Sequence, residues 1–388
     1  MCKTVVHYKA GPFLPLTENW IFNQLVRLER YRPIVYCHGI TNLDMFKVNS
    51  IRAFGKGNRK SNPWTTINVG LNRIFNYNPI IDIAMNKDNP SLIHAHFGGS
   101  GYYLLRPKRR IDIPLITAFY GTDLSRAIAQ KPKWEEKYRK LFREGDIFLA
   151  EGKYMKERLI RLGCEENKVV IHHIGVDLNE IAFKSRERAS ERDYRILISA
   201  SFREKKGIPD AITAISILKR DNPGINISVT LIGDSSGTPE DEEEKKKILG
   251  CIRQHGLEKE FRLLGYQHHE VFIKELYRNH VFLSPSITAS NGDDEGGAPV
   301  SIIEASASGM PVVSTYHCDI PEVVKDGVSG YLVPERDTRQ LANRLGKLLE
   351  SPEKCEKMGY MGRRHIEQNY NIEKQTRILE TLYDEIIK

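Results

Sequence analysis

The feature that most constrains the fold is an alternation along the whole chain: short, β-branched apolar runs take turns with stretches of helical periodicity. That pattern reads as βαβ units, in which crossover helices join parallel strands. Strands are expected at 4–8, 34–37, 92–96, 115–119, 147–149 and 169–171, then at 195–199, 228–232, 261–264, 281–283 and 312–314. Between the two sets lies FKSRERASERDY, residues 183–194, charged and poor in large apolar side chains, which reads as a linker. Two α/β domains follow, over 1–190 and 191–370. The last segment, 371–388, places Ile372, Ile378, Leu379, Leu382, Ile386 and Ile387 on one stripe and predicts a closing amphipathic helix.

Composition narrows the function. With 388 residues, 40% of them hydrophobic, the chain can bury two cores. No run of 18 apolar residues occurs, and MCKTVVHYKA has no apolar secretion core, so a cytoplasmic protein is expected. Six cysteines, at 2, 37, 164, 251, 318 and 355, lie too far apart for metal-ligand spacing, and the His172-His173 and His268-His269 neighbours are poorly spaced to share an ion. Neither disulfides nor a metal is implied. The run PEDEEEKKKIL from Pro239 has Glu242/Lys246 and Glu243/Lys247 at helical spacing and reads as a solvated helix face. The net charge of +8 is lopsided: residues 1–190 hold 31 Lys+Arg against 18 Asp+Glu, leaving the rest acidic overall. Nucleic acid, an anionic membrane or a phosphorylated substrate would each suit the basic half. Nucleic acid is not expected, because no recognised nucleic-acid-binding motif is present.

The segment SNGDDEGGAPVSIIEASASGMPVVST, from Ser290, carries most information. Gly296-Gly297-Ala298 permits close backbone approach to a ligand, and Pro299 suits the first position of a helix whose amides face an anion. Glu304 lies near enough to that opening to reach hydroxyls attached to a bound phosphate. The same spacing also fits an ordinary glycine-capped βα unit with a solvent-facing Glu.

Glu295 and Glu304 around this loop, followed by IPEVVKDGVSGYLVPERD from Ile320, resemble the donor-binding signature of family-four retaining glycosyltransferases. SASFREKKG at 199–207, LIGDSSG at 231–237 and FRLLGYQHHEV at 261–271 fall in that family's order. FLPLTENWIFNQ from Phe13, LIHAHFG from Leu92, TAFYGTDLS from Thr117 and VVIHHIGVDL from Val169 are similar to its exopolysaccharide branch, which includes colanic-acid enzymes. The resemblance implies the GT-B fold, with two Rossmann-like parallel-sheet domains facing across a cleft and a C-terminal helix returning to the first. It implies a nucleotide sugar, a UDP-sugar above others, on the second domain and a saccharide acceptor on the first, without cofactor or metal.

Residue roles follow from the same resemblance. Lys206 takes the phosphate-binding position, with Lys205 expected to point elsewhere. Arg203 is expected to replace a phosphate-binding Arg whose usual position is Ser201. Glu295 falls beside the transferred sugar, and Glu304 accepts from the ribose. Eight residues separate these two where relatives have seven, which leaves Asp294 as a competitor for Glu295. Gly297, Ala298 and Val300 offer amides beside Gly296, and Gly265 and Tyr266 follow in the donor-binding set.

On the acceptor side, Tyr120 stands where many relatives have His. It either bonds the sugar or acceptor or packs as a core aromatic. Asp123 either caps the following helix or meets substrate. His94 and His96 share a strand face, and His96 is the one assigned to the site. Glu18 matches a polar position of the first loop. Basic clusters at 52–60 and 106–110, and the segment 131–144 with Trp134, Tyr138, Leu141 and Phe142 on one stripe, suit either an anionic bilayer or packing on the sheet. Transfer to a lipid-linked saccharide at the inner membrane face is the expected function. The alternatives are a nucleotide-sugar epimerase of the same fold and a non-catalytic basic binding module.

Overall fold

A computed structural model describes residues 3–15, 18–43, 46–48, 50–54, 79–186 and 193–387. The chain divides into two compact units, 1–175 with 372–388, and 176–371. The first holds a seven-stranded, all-parallel sheet in the order β3-β2-β1-β4-β5-β6-β7. Its strands are β1 (Lys3–Phe13), β2 (Tyr31–Ile40), β3 (Ile51–Ala53), β4 (Leu92–His96), β5 (Leu115–Ala118), β6 (Ile147–Ala150) and β7 (Val169–Ile171). The second holds a six-stranded parallel sheet in the order β10-β9-β8-β11-β12-β13. These are β8 (Asp193–Ser199), β9 (Asn226–Ile232), β10 (Phe261–Gly265), β11 (Val281–Ser284), β12 (Val312–Thr315) and β13 (Gly330–Val333).

Both sheets are Rossmann-like: strand order reverses beside the first strand of each, and the loops at the carboxyl ends there are the natural place for a ligand. Helices cover both faces, so the central strand β4 is buried throughout, His94 and His96 included. Every strand expected from sequence is present. The two that sequence reading missed, β3 and β13, are edge strands of three and four residues.

The first unit ends at Gly175 rather than at residue 190. Val176 and Ile181 pack into the second unit's core, the Val176 amide bonds the Tyr370 carbonyl, and that of Lys184 bonds Ser308. Residues 187–192 of the expected linker and 55–60 of the first basic cluster lie outside the described residues.

The closing helix, Ile372–Ile386, packs on the first sheet, but its buried stripe runs through Ile372, Gln375, Thr376, Leu379, Glu380 and Tyr383. Ile378, expected inside, is 49% exposed. It falls off the three-four spacing that the inward polar groups occupy. Glu380 accepts from the Glu29 and Arg30 amides at 2.8 and 2.7 Å, and the Tyr383 hydroxyl meets His94 Nδ1 at 2.6 Å. Gly175 lets the helix start come this close, since a Cβ there would lie 2.4 Å from the Ile372 Cα.

Two surface expectations change. The acidic-basic helix Pro239–Gln254 forms its pairs at i,i+3, Glu243/Lys246 and Glu244/Lys247. In Lys133–Glu144, Tyr138, Leu141 and Phe142 are buried in the first core and Trp134 lies against Gly99, so that stripe is spent on the sheet. No described helix is long and apolar enough to cross a membrane.

Tyr383→Phe deletes one hydroxyl and leaves the buried His94 Nδ1 without its partner. We expect a loss of about 1–3 kcal/mol, read as a lower urea midpoint at unchanged m-value.

Candidate functional site

The second unit collects its polar side chains in the loops that follow β8 to β12. After β8 the chain turns through Glu204–Lys206, and Gly207, at φ 61°, releases it into the helix Ile208–Asp221. A Cβ on Gly207 would sit 1.9 Å from the Pro285 carbonyl oxygen, so this left-handed turn against the neighbouring loop requires glycine. The loop after β11 is stitched to the turn: the Ile287 amide bonds the Lys205 carbonyl at 2.8 Å, and Ser290 donates its amide and hydroxyl to Glu204.

This brings Lys206 to Glu295. The ammonium donates to both carboxylate oxygens at 2.8 and 2.9 Å, and Ser286 Oγ donates to one of them at 2.8 Å. Lys205 does not point elsewhere. It is buried in the same cluster, bonding the Asp294 carbonyl at 2.7 Å and lying 3.6 Å from Glu295, because the turn is too tight to send consecutive lysines to opposite sides. Arg203 pairs with the buried Asp293, to which Lys205 also reaches at 3.4 Å. Burial by itself would raise the Glu295 pKa, but the Lys206 and Lys205 charges outweigh it and hold the carboxyl at about 2. Burial and the neighbouring cations pull Lys206 downward while Glu295 opposes them.

Glu295 is fixed from behind as well. Its amide donates to His317 Nε2 at 3.1 Å, and His317 Nδ1 donates to Glu335 at 2.6 Å, which sets the imidazole tautomer. Asp294 contributes its carbonyl to Lys205, so the side chain seated on Lys206 is that of Glu295. Gly296, at φ 73°, turns the chain toward Gly297 and Ala298. Pro299 caps the helix Val300–Ala307 instead of starting it, and Val300 is the first helical residue.

Glu304, on that helix, bonds His269 Nε2 at 2.7 Å. His269 opens the helix His269–Arg278, just beyond β10, Gly265 and the half-exposed Tyr266. Gly265 accepts from the Gly233 amide at 2.9 Å, tying the β9 and β10 loops together.

In the first unit Tyr120 is half-buried among Trp20, Phe97 and His96, with its hydroxyl 2.8 Å from His96 Nδ1. Asp123 does not cap the helix that follows it. Its carboxylate accepts from the Gly98 amide, at the start of Gly98–Ile111, and from that of Tyr120, at 2.8 and 3.2 Å; burial raises its pKa to about 6 against those bonds. The tight Gly121 turn folds Asp123 back toward β4. Glu18 pairs with Lys9.

Ser286, His317, Glu335 and His269 escaped sequence reading. His269 and Glu304 are 35 residues apart, and only the packing of two helices beside the sheet joins them. Among the described residues, no group of three or more His, Cys, Asp or Glu side chains is arranged to hold a metal.

Residues 179–365 match the family described as glycosyl transferases group 1, and residues 23–180 match glycosyltransferase family 4. An amylovoran biosynthesis glycosyltransferase of Erwinia amylovora is 31% identical over 72% of this chain and 66% of its own length. A putative colanic acid biosynthesis glycosyltransferase of Escherichia coli is 31% identical over 75% and 70%. The chain belongs to this glycosyltransferase family. The crystal structure of Anabaena HepE in complex with UDP and glucose has the same fold, with a TM-score of 0.78, 17% identity and coverage of 97% of this chain and 98% of that one.

The His269–Glu304 pair makes a pH-dependent contribution. Burial disfavours protonated His269, but the bond to Glu304 and the charges of Glu304 and Glu180 outweigh it and raise its pKa above the usual 6.5. The stabilisation is therefore complete below about pH 6.5 and disappears as pH rises through the raised value. His269→Gln keeps an amide donor without a titration. The melting temperature of the wild type should fall relative to this variant between about pH 6 and 9; parallel curves would show that the pair does not titrate there.

Proposed function

We propose that the protein is a retaining, metal-independent glycosyltransferase that moves a sugar from a UDP-sugar to a lipid-linked saccharide in cell-surface polysaccharide assembly, at the cytoplasmic face of the membrane. The observation that carries this reading is the half-buried meeting of Lys206 with Glu295 at the strand ends, one loop from Glu304. The names of the amylovoran and colanic acid relatives support the polysaccharide assignment. HepE in complex with UDP and glucose supports the donor.

Breaking the bond between the sugar's anomeric carbon and the diphosphate leaves negative charge on phosphate and positive charge on the sugar. Lys206 has a third N–H beyond the two given to Glu295, and the Arg203 guanidinium keeps donors beyond those facing Asp293. These, with the amides of Gly297, Ala298 and Val300, receive the diphosphate. Glu295 stands beside the sugar and Glu304 takes the ribose hydroxyls. The acceptor oxygen bonds the anomeric carbon on the face the diphosphate leaves, and its proton passes to a departing phosphate oxygen, so no separate base is required. The acceptor lies on the first unit near Tyr120, His96 and Glu18. That unit's lysines and arginines hold it to anionic lipid by charge alone, since the stripe of 133–144 is buried.

A thermal-shift panel of UDP, GDP, ADP and their sugars tests the donor. A match at a hundred times its Kd stabilises by about 2.7 kcal/mol. UDP-sugars are expected to give the shift, and turnover to survive EDTA. Rescue of a chelated enzyme by Mg²⁺ would overturn metal independence.

Steady-state kinetics separate the residue roles. Glu304→Ala should chiefly raise the donor KM, and Glu295→Gln should chiefly lower kcat. Arg203→Ala should cost roughly ten- to a hundred-fold in kcat/KM, corresponding to about 1.5–3 kcal/mol for a bond to a charged group. An Arg203→Ala enzyme within about twofold of wild type at subsaturating donor would remove Arg203 from the clamp.

A further inference from the structure

Behind Tyr120 lies an unbroken line of imidazoles. His96 Nδ1 is 2.8 Å from the Tyr120 hydroxyl, and His96 Nε2 is 3.1 Å from His7 Nδ1. The line stops there, because His7 Nε2 is fully buried and has no hydrogen-bond partner among the described residues. His7, on β1, faces His94 across the strand pair and stacks on His96 with ring centroids 5.3 Å apart. Both rings of the line are inaccessible to water, and burial holds them neutral, with His7 lowered to about 3.

A neutral chain of this kind has two directions. In one, Tyr120 donates to His96, His96 Nε2–H donates to His7 Nδ1, and the last hydrogen is stranded on His7 Nε2. In the other, His7 Nδ1–H donates to His96 Nε2, His96 Nδ1–H donates to the Tyr120 oxygen, and His7 Nε2 keeps only a lone pair. A stranded buried N–H is rarer in folded proteins than an under-used acceptor, which favours the second. Burial, with the negative charges of Glu151, Asp123 and Glu18, keeps the Tyr120 hydroxyl protonated and so able to donate.

We propose that His7 and His96 are positioning residues that hold Tyr120 as an outward hydrogen-bond donor. Its oxygen accepts from His96, and its hydrogen is offered to a neutral oxygen, a hydroxyl or ring oxygen of the saccharide, in the small pocket that Tyr120 lines with Trp20, Gln24 and Glu151. The nearby carboxylates disfavour an anion there. The ligand class rests on the transferase reading above; the direction of the line does not.

The direction is read by nitrogen NMR of the full chain carrying ¹⁵N-histidine, with His7→Gln and His96→Gln assigning the signals. Both rings should carry hydrogen on Nδ1. Hydrogen on His7 Nε2 would overturn the proposal. These measurements need neither donor nor acceptor, so they stand apart from the transfer chemistry. For the ligand, with UDP-glucose as donor and octyl glucoside as acceptor, Tyr120→Phe should raise the acceptor KM about tenfold and leave the donor KM alone. An unchanged acceptor KM beside Nδ1–H tautomers would keep the direction and overturn the saccharide contact.

Discussion

A half-buried Lys206 ammonium and a Glu295 carboxylate shielded from water are each costly alone and stable together, and the loops of the second domain are built to bring them together. Removing one partner from such a pair costs about 3–5 kcal/mol, more than a typical single bond in the loop supplies. The meeting needs two segments that are 89 residues apart in sequence but adjacent in the sheet, since β8 and β11 are neighbours where the strand order reverses. Gly207 seats the turn on the Pro285 carbonyl, the Ile287 amide binds Lys205, and Ser290 binds Glu204. The cationic cluster is therefore held by bonds of the fold itself, the preorganisation that the proposed diphosphate site calls for.

The first domain solves a different problem with the same means. Parallel strands buried on both faces usually carry apolar side chains, yet β1 and β4 bury His7, His94 and His96. Neutrality and mutual bonding make this tolerable. Tyr383 of the closing helix meets His94, and Tyr120 meets His96, so the C-terminal segment completes the polar core of the domain that begins the chain. Glu380 adds a second anchor by capping the Glu29 and Arg30 amides. This is why the stripe of that helix departs from the apolar pattern: the groups it must satisfy are polar.

Sequence pattern revealed most of the strands, because short apolar runs stand out between charged helices. It missed β3 and β13, whose three and four residues borrow their ladder from β2 and β12 rather than from local preference. Lys206, Glu295 and Glu304 were legible through the resemblance. Their partners were not: His317, in the loop after β12, bonds the Glu295 amide and is held in turn by Glu335, after β13, and nothing in YHCDIPE or VPERD marks them as its support. Of the two readings of Asp123, the cap on the following helix does not hold, because the turn at Gly121 delivers its carboxylate to the start of the preceding one. The linker was placed too late because charge was taken for solvent exposure, while Arg186, paired with the Ser308 hydroxyl, is buried.

The longer loop between Glu295 and Glu304 is accommodated between two fixed points. At one end the Glu295 amide is held by His317 and its side chain by Lys206. At the other, Pro299 caps the helix, so Glu304 is always the fifth helical residue, one turn from the opening and bonded to His269. An added residue between such anchors cannot slide either glutamate along its element; it has to be taken up as a turn. Gly296, Gly297 and Ala298 supply that turn, the first of them through a positive φ that a side chain would strain. Loop conformation and carboxylate position are therefore fixed by separate contacts here.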